Sequence, residues 1–202
     1  MGQYYHVAVK IGDEKAFVNE REIKNQGYIM AKLLEHSYMR HPLCMCVAKL
    51  LSENKARIAW IGDYAEDDEI IDITNGELNY KAVWDANTKY VFDEVEEFDW
   101  SGLALVNYSK KEFVNIDEYA RNSENGGWCI CPIPLLTAIG NNRGGGDYRD
   151  GGTCYELVGT WAWDELKLVQ AKSVPVGFKK LDVYFRERRC FQNDLSIVSR
   201  EV

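Results

Sequence analysis

Leu103-Ala104-Leu105-Val106-Asn107-Tyr108-Ser109-Lys110-Lys111-Glu112-Phe113-Val114-Asn115-Ile116 is the stretch whose reading decides the fold. Leu103 to Tyr108 is apolar but for Asn107 and of strand length, Ser109 to Glu112 is polar turn material, and Phe113 to Ile116 is apolar again but for Asn115. Two short apolar runs joined by a polar tetrapeptide predict an antiparallel hairpin with a buried first strand.

The same period of two recurs on both sides. Tyr4 to Ile11 predicts a first strand with Tyr5, Val7, Val9 and Ile11 on one face, and Ala16-Phe17-Val18 folds back through a turn at Gly12-Asp13. Arg57 to Ile61 is a further strand, ending at Gly62-Asp63-Tyr64. Trp128 to Cys131, Tyr155 to Trp161, Leu166 to Val169 and Leu181 to Arg186 read as strands as well. Pro132 and Pro134 bar the first of these from a central ladder beyond Cys131. Between Met30 and Ser52 the period changes. Met30, Leu33, Leu34 and Ser37 have the i, i+3, i+4, i+7 spacing of a helix stripe. His41-Pro42 interrupts it, and a second helix runs from about Pro42 to Ser52. The acidic stretch after Tyr64 reads as strand fragments with a short helix near Asn79 to Asp85. The expectation is one α+β domain over residues 1–202, a mostly antiparallel sheet with a helical pair (about 28–52) packed on it.

Composition bounds the function classes. The chain has 202 residues, 46 % hydrophobic and 28 % charged, which suits a water-soluble globular protein with its own core. Its aromatic content of 12 % fits a β-rich core. No apolar run is long enough to span a membrane, and the start of the chain lacks the regions of an export signal, so a cytoplasmic protein is expected. Its six cysteines are then expected as thiols. The pairs Cys44/Cys46 and Cys129/Cys131 have Cys-x-Cys spacing, one residue short of the usual structural zinc pattern. Buried hydrophobes are the better reading, and neither metal nor cofactor is expected.

The net charge is −8, and it is unevenly spread. Residues 63–99 hold thirteen acids against Lys81 and Lys89, so the remainder of the chain is slightly basic. That balance argues against non-specific nucleic-acid binding. It fits a solvated face, or a surface that meets a basic protein partner.

The candidate site is the segment Gly140 to Gly152, in which six of thirteen residues are glycine. Bare backbone lets a ligand approach N–H groups closely, and Arg143 is at hand for an anion. A long flexible hairpin loop is the competing reading. As a ligand site, Asn141, Arg143, Gly144, Gly145, Gly146, Asp147 and Tyr148 would hold a small anionic, nucleotide-like molecule, with Tyr148 or Trp161 stacking on a base. If a reaction occurs there, Asp63 and Asp147, both in Gly-Asp-Tyr, are the candidate acid–base pair, with His36 as partner. Turn chemistry alone also accounts for aspartate after glycine. No Walker motif, no Gly-x-Ser-x-Gly and no His-Glu-x-x-His is present.

Several segments occur together: Met1-Gly2-Gln3-Tyr4-Tyr5, Glu35-His36-Ser37-Tyr38, Trp60-Ile61-Gly62-Asp63-Tyr64-Ala65, Asn107-Tyr108-Ser109-Lys110-Lys111, Pro134-Leu135-Leu136-Thr137-Ala138, Gly140 to Tyr148 and Gly159-Thr160-Trp161-Ala162. In this combination the chain resembles an uncharacterised family of bacterial and phage-associated proteins of about this length. The resemblance implies no activity. The chain departs from that pattern at Asn142, where the pattern has glycine, and at Cys131, where it has histidine before the proline.

Overall fold

The computed structural model describes residues 4–18, 36–85, 97–123, 129–140 and 156–185. The fold class is α+β. Among the described residues, eight strands form one mixed, mostly antiparallel sheet: β1 (Tyr5–Ile11), β2 (Glu14–Val18), β3 (Ala56–Gly62), β4 (Leu103–Asn107), β5 (Glu112–Asn115), β6 (Ala138–Ile139), β7 (Glu165–Gln170) and β8 (Lys179–Lys180). Their order is β2-β1-β3-β7-β4-β5-β8, with β6 set beside β3. The parallel pairs are β3/β6 and β5/β8; the other pairings are antiparallel. The helices that lie wholly within the described residues are α1 (Pro42–Glu53), α2 (Asp67–Ile73), α3 (Tyr80–Trp84), α4 (Ile116–Ser123) and α5 (Pro132–Thr137).

The alternation along β1 separates two apolar clusters. Tyr5, Val7 and Val9 join the larger one, which contains α1, α5 and the inner residues of β4, β5 and β7. Ala8 points into the smaller one, with Ala59 and Ile61 of β3, Ile70, Val83 and Ile139. Helix α1 is buried nearly all round from Leu43 to Leu51, which is how Cys44 and Cys46 are both buried although two residues apart on a helix. Of the expected first helix only its end, at His36, lies within the described residues.

One edge of β3 serves three partners in turn. Ala56 and Arg57 pair with β7, the Trp163 N–H donates to the Ile58 carbonyl at 2.8 Å, and Trp60 and Ile61 pair in parallel with β6. The sheet therefore forks at Ile58, and a tight turn of residues 156–164 fills the fork. Buried Asn107 anchors that turn: its amide donates to Asp164 at 2.7 Å, and its side-chain oxygen accepts from the Lys110 N–H at 2.9 Å. Lys110 Nζ also reaches Asp164 and the Thr160 carbonyl.

Four expected strands are corrected here. Residues 156–161 are turns, not a strand. The N–H groups of Thr160, Ala162 and Asp164 bond to carbonyls three residues back, and Gly159 has φ +73°, so no ladder can form. Ile130 makes one isolated bridge to Tyr38, and Cys131 then caps α5, with Pro132 at its first position. Among its described residues the acidic segment contains α2 where strand fragments were expected, since Asp67, Asp68 and Glu69 occupy a first turn where carboxylates are favoured. Residues 181–185 keep their alternation, with Val183 and Phe185 buried, but lie outside any assigned strand.

The turn after α2 is tied to the sheet by charge. Glu77 accepts from Lys10 Nζ at 2.5 Å, with Lys15 at 3.5 Å and Arg57 at 3.6 Å. The hydrogen bond from Lys10, then the surrounding cations, hold its carboxyl below the ordinary value of 4.5. A depressed carboxyl contributes stability above its unfolded value and loses it as pH falls through the folded one. Glu77→Gln should therefore lower the melting temperature by a few degrees at pH 7. Melting curves of variant and parent should converge at acidic pH, below 4.5.

Candidate functional site

The parallel pair β3/β6 brings two chain exits together. The end of β3, at Gly62, and the end of β6, at Ile139, therefore lie side by side. After Gly62 the chain turns sharply, with the Ala65 N–H donating to the Gly62 carbonyl at 3.0 Å, and runs into α2. After Ile139 comes Gly140, the first residue of the glycine-rich segment. Its φ is +88°, and a Cβ there would lie 2.9 Å from the backbone N and Cα of Ala65. Only glycine fits, so the segment's root is pressed onto the turn that carries Asp63. The Gly140 N–H also points to Glu69 Oε1 at 3.4 Å.

Beside this root lies a cleft of about 700 Å³ between the 63–67 turn and the start of α3. Asp63, Tyr64, Glu66 and Asp67 form one side; Asn79, Tyr80 and Lys81 form the other. The two sides are cross-linked. The Tyr80 hydroxyl donates to the Asp63 carbonyl at 3.2 Å, and the Tyr80 N–H donates to Asp67 Oδ1 at 2.7 Å. Asn79 caps α3 by accepting from the Ala82 N–H at 2.7 Å.

Asp63 is tied to the end of β1. It accepts from the Tyr4 N–H at 3.1 Å through Oδ1, while its own N–H donates to the Tyr4 carbonyl at 2.9 Å. Burial pushes its carboxyl above the ordinary 3.8, against the N–H donors and His6, which pull the other way. A raised folded value means that ionisation costs the folded state. Stability is then lost as pH rises from 3.8 through the raised value. Asp63→Asn, which keeps the acceptor for Tyr4, should raise the melting temperature at pH 7 and give no gain below pH 3.8. Paired thermal melts at the two pH values check this.

Comparison with protein-family models, with curated proteins and with solved structures finds no match.

Of the expected site residues, Asp63 lines the cleft. Asn141, Arg143, Gly144, Gly145, Gly146, Asp147 and Tyr148 lie outside the described residues. Trp161 is corrected: it is fully buried in the larger cluster, and its indole N–H donates to Glu112 at 3.2 Å, so it offers no open face to a base. His36 sits before α1, 6.1 Å from the ring of His41, beside elements of the larger cluster. The histidine beside Asp63 is instead His6, which faces Ile61 across the β1/β3 ladder. Its ring stacks on Trp84 at 3.9 Å, and its Nδ1 is 3.3 Å from the Val83 carbonyl, which places the ring proton on Nδ1. The alternation of β1 carried this signal, since His6 shares a face with Ala8 and Lys10 opposite the Tyr5 face.

Among the described residues, no group of three or more histidine, cysteine or acidic side chains is placed to hold a metal ion. Burial and then the neighbouring Cys131 push the Cys44 thiol up, the behaviour of a packed thiol rather than a reactive one. Among the described residues no helix is long and apolar enough to cross a membrane.

Proposed function

We propose that this chain binds a small anionic, nucleotide-like molecule where the glycine-rich segment leaves the sheet, as a sensor or sequestering protein. The observation that supports the reading is Gly140, the first residue of the glycine-rich stretch, which lies close to Ala65 beside the Asp63 cleft. The stretch that follows Gly140 in the sequence is rich in glycine and carries Arg143 and Arg149, residue types suited to an anion. Arg143 would pair with phosphate, while Asn141, Gly144, Gly145, Gly146, Asp147 and Tyr148 would complete the enclosure. Thermal-shift screening against nucleotides and sugar phosphates tests it. A ligand that raises the melting temperature of the parent should bind Arg143→Ala roughly 1.5–3 kcal/mol more weakly, a tenfold to hundredfold loss. The ligand-free melting temperatures should agree. No shift with any ligand in the panel would remove the proposal.

A second reading is a protein-interaction module, in keeping with the resemblance to phage-associated proteins. It is favoured by the outer face of α2, where exposed Asp68 and Asp72 flank Ile71, itself 39 % exposed. Such a face would suit a basic partner surface. An enzyme would use the same crevice, and there His6 would replace His36 as the partner of Asp63.

A further inference from the structure

On the side of the sheet that carries the larger cluster, a second cleft of about 770 Å³ opens between the start of α1, the stretch Glu97 to Ser101 and α4. Its floor is apolar: Met39, Met45 and Ile116 are buried members of the larger cluster. Two aromatic rings form a wall. Phe98 and Trp100 meet at 76° with centroids 4.9 Å apart, so they stand as a corner and not as a flat stack. Trp100 is half-buried, and its indole N–H is the buried part. What its side chain offers the cleft is therefore ring carbon.

Glu97, Asp99 and Asp117 line the same cleft against a single cation, Arg40. Two of the carboxylates are held in place. Asp99 accepts from the Ser101 N–H at 2.9 Å and from the Ser101 hydroxyl at 2.6 Å, both through Oδ1. These bonds keep its carboxyl below the ordinary 3.8, and so ionised at neutral pH. Asp117 accepts from the Gly102 N–H at 3.1 Å through Oδ2. All three acids are exposed, so they act on a ligand through solvent and select the sign of its charge more than they add strength.

These surroundings sort ligands by chemistry. A small organic anion meets net repulsion. A bare ammonium loses its hydration against the methionine floor without a full set of acceptors. An alkylated ammonium spreads its charge over methyl groups, is weakly hydrated and is attracted to aromatic faces. We propose that this cleft binds a small quaternary ammonium compound, with its methyl groups against the Phe98–Trp100 corner and its charge facing Asp99 and Asp117. The site shares no lining residue with the Asp63 cleft and stands independently of the anion-binding reading.

Calorimetric titration of the full chain with choline tests the proposal, beside the carbon isostere of choline in which a tert-butyl group replaces the trimethylammonium. Choline should bind tenfold or more tighter than the uncharged isostere. Trp100→Leu, which keeps an apolar side chain without a π face, should weaken choline tenfold or more, and Trp100→Phe should recover part of the loss. Asp99→Asn, which keeps an acceptor for Ser101, should weaken choline several-fold and leave the isostere unchanged. Melting temperatures of the variants show which are folded; if Trp100→Leu is not, Trp100→Phe and Asp99→Asn decide, since both should still weaken choline. Absence of choline binding, equal binding of choline and its isostere, or choline binding that the folded variants leave untouched overturns the proposal.

Discussion

Gly159→Ala is expected to destabilise the fold by roughly 3 kcal/mol or more, combining left-handed backbone strain with overpacking. The backbone there has φ +73°, and an added Cβ would stand 2.3 Å from the Ala138 carbonyl oxygen, a main-chain atom that cannot swing aside. Ala138 belongs to β6 and pairs with Trp60, and the next residue but one is Gly140. The substitution should therefore act on the cleft as well as on stability. Urea unfolding at pH 7 reads the first effect. Loss of ligand response in protein still folded at low urea reads the second. An alanine variant as stable as the parent would contradict the packing of the 156–164 turn against β6.

The second large effect is expected at Trp161. Truncation to alanine removes one of the largest fully buried side chains and should cost about 3–5 kcal/mol. Trp161→Phe keeps most of the volume and deletes the donor to Glu112, so it should cost less. If Trp161 instead stacked on a ligand, the alanine variant would keep its melting temperature and lose affinity. The pair of variants, followed by thermal melts with and without ligand, separates these cases.

Long elements with a clear period were legible. The hairpin Leu103 to Ile116, the strand from Tyr4, the strand from Arg57 and the helix from Pro42 all stand close to the expected positions, as does the short helix at Tyr80–Trp84. Each buries a face that its own residues announce. Helix α4 was announced as well, by Asn115 and Glu118 at capping-box spacing, but the apolar Ile116 reads equally as the end of a strand. Strand β6 could not be read, because Ala138-Ile139 is too short to show a period and is defined by its partner β3. The turn at 156–164 misled because its aromatic and β-branched residues fit a strand equally well. Their conformation is decided by the fork at Ile58, a tertiary fact.

For the site, Gly-Asp-Tyr marked Asp63, and the glycine count marked the segment beginning at Gly140. Nothing local said that the two exits are neighbours. That follows from the parallel pairing of residues 60–61 with 138–139. His6 was hidden for the same reason, since its closeness to Asp63 depends on the register of β1 against β3.

That parallel pairing has a kinetic consequence. The crevice is closed by segments near residues 4–6, 60–69, 79–84 and 138–140, so it exists only once a long loop has been brought together. Contacts of such separation cost chain entropy before they give any return, and they form late. Interactions absent from the folding transition state change the unfolding rate and leave the folding rate alone. A molecule seated in this crevice should accordingly lengthen the lifetime of the native state without hastening its formation.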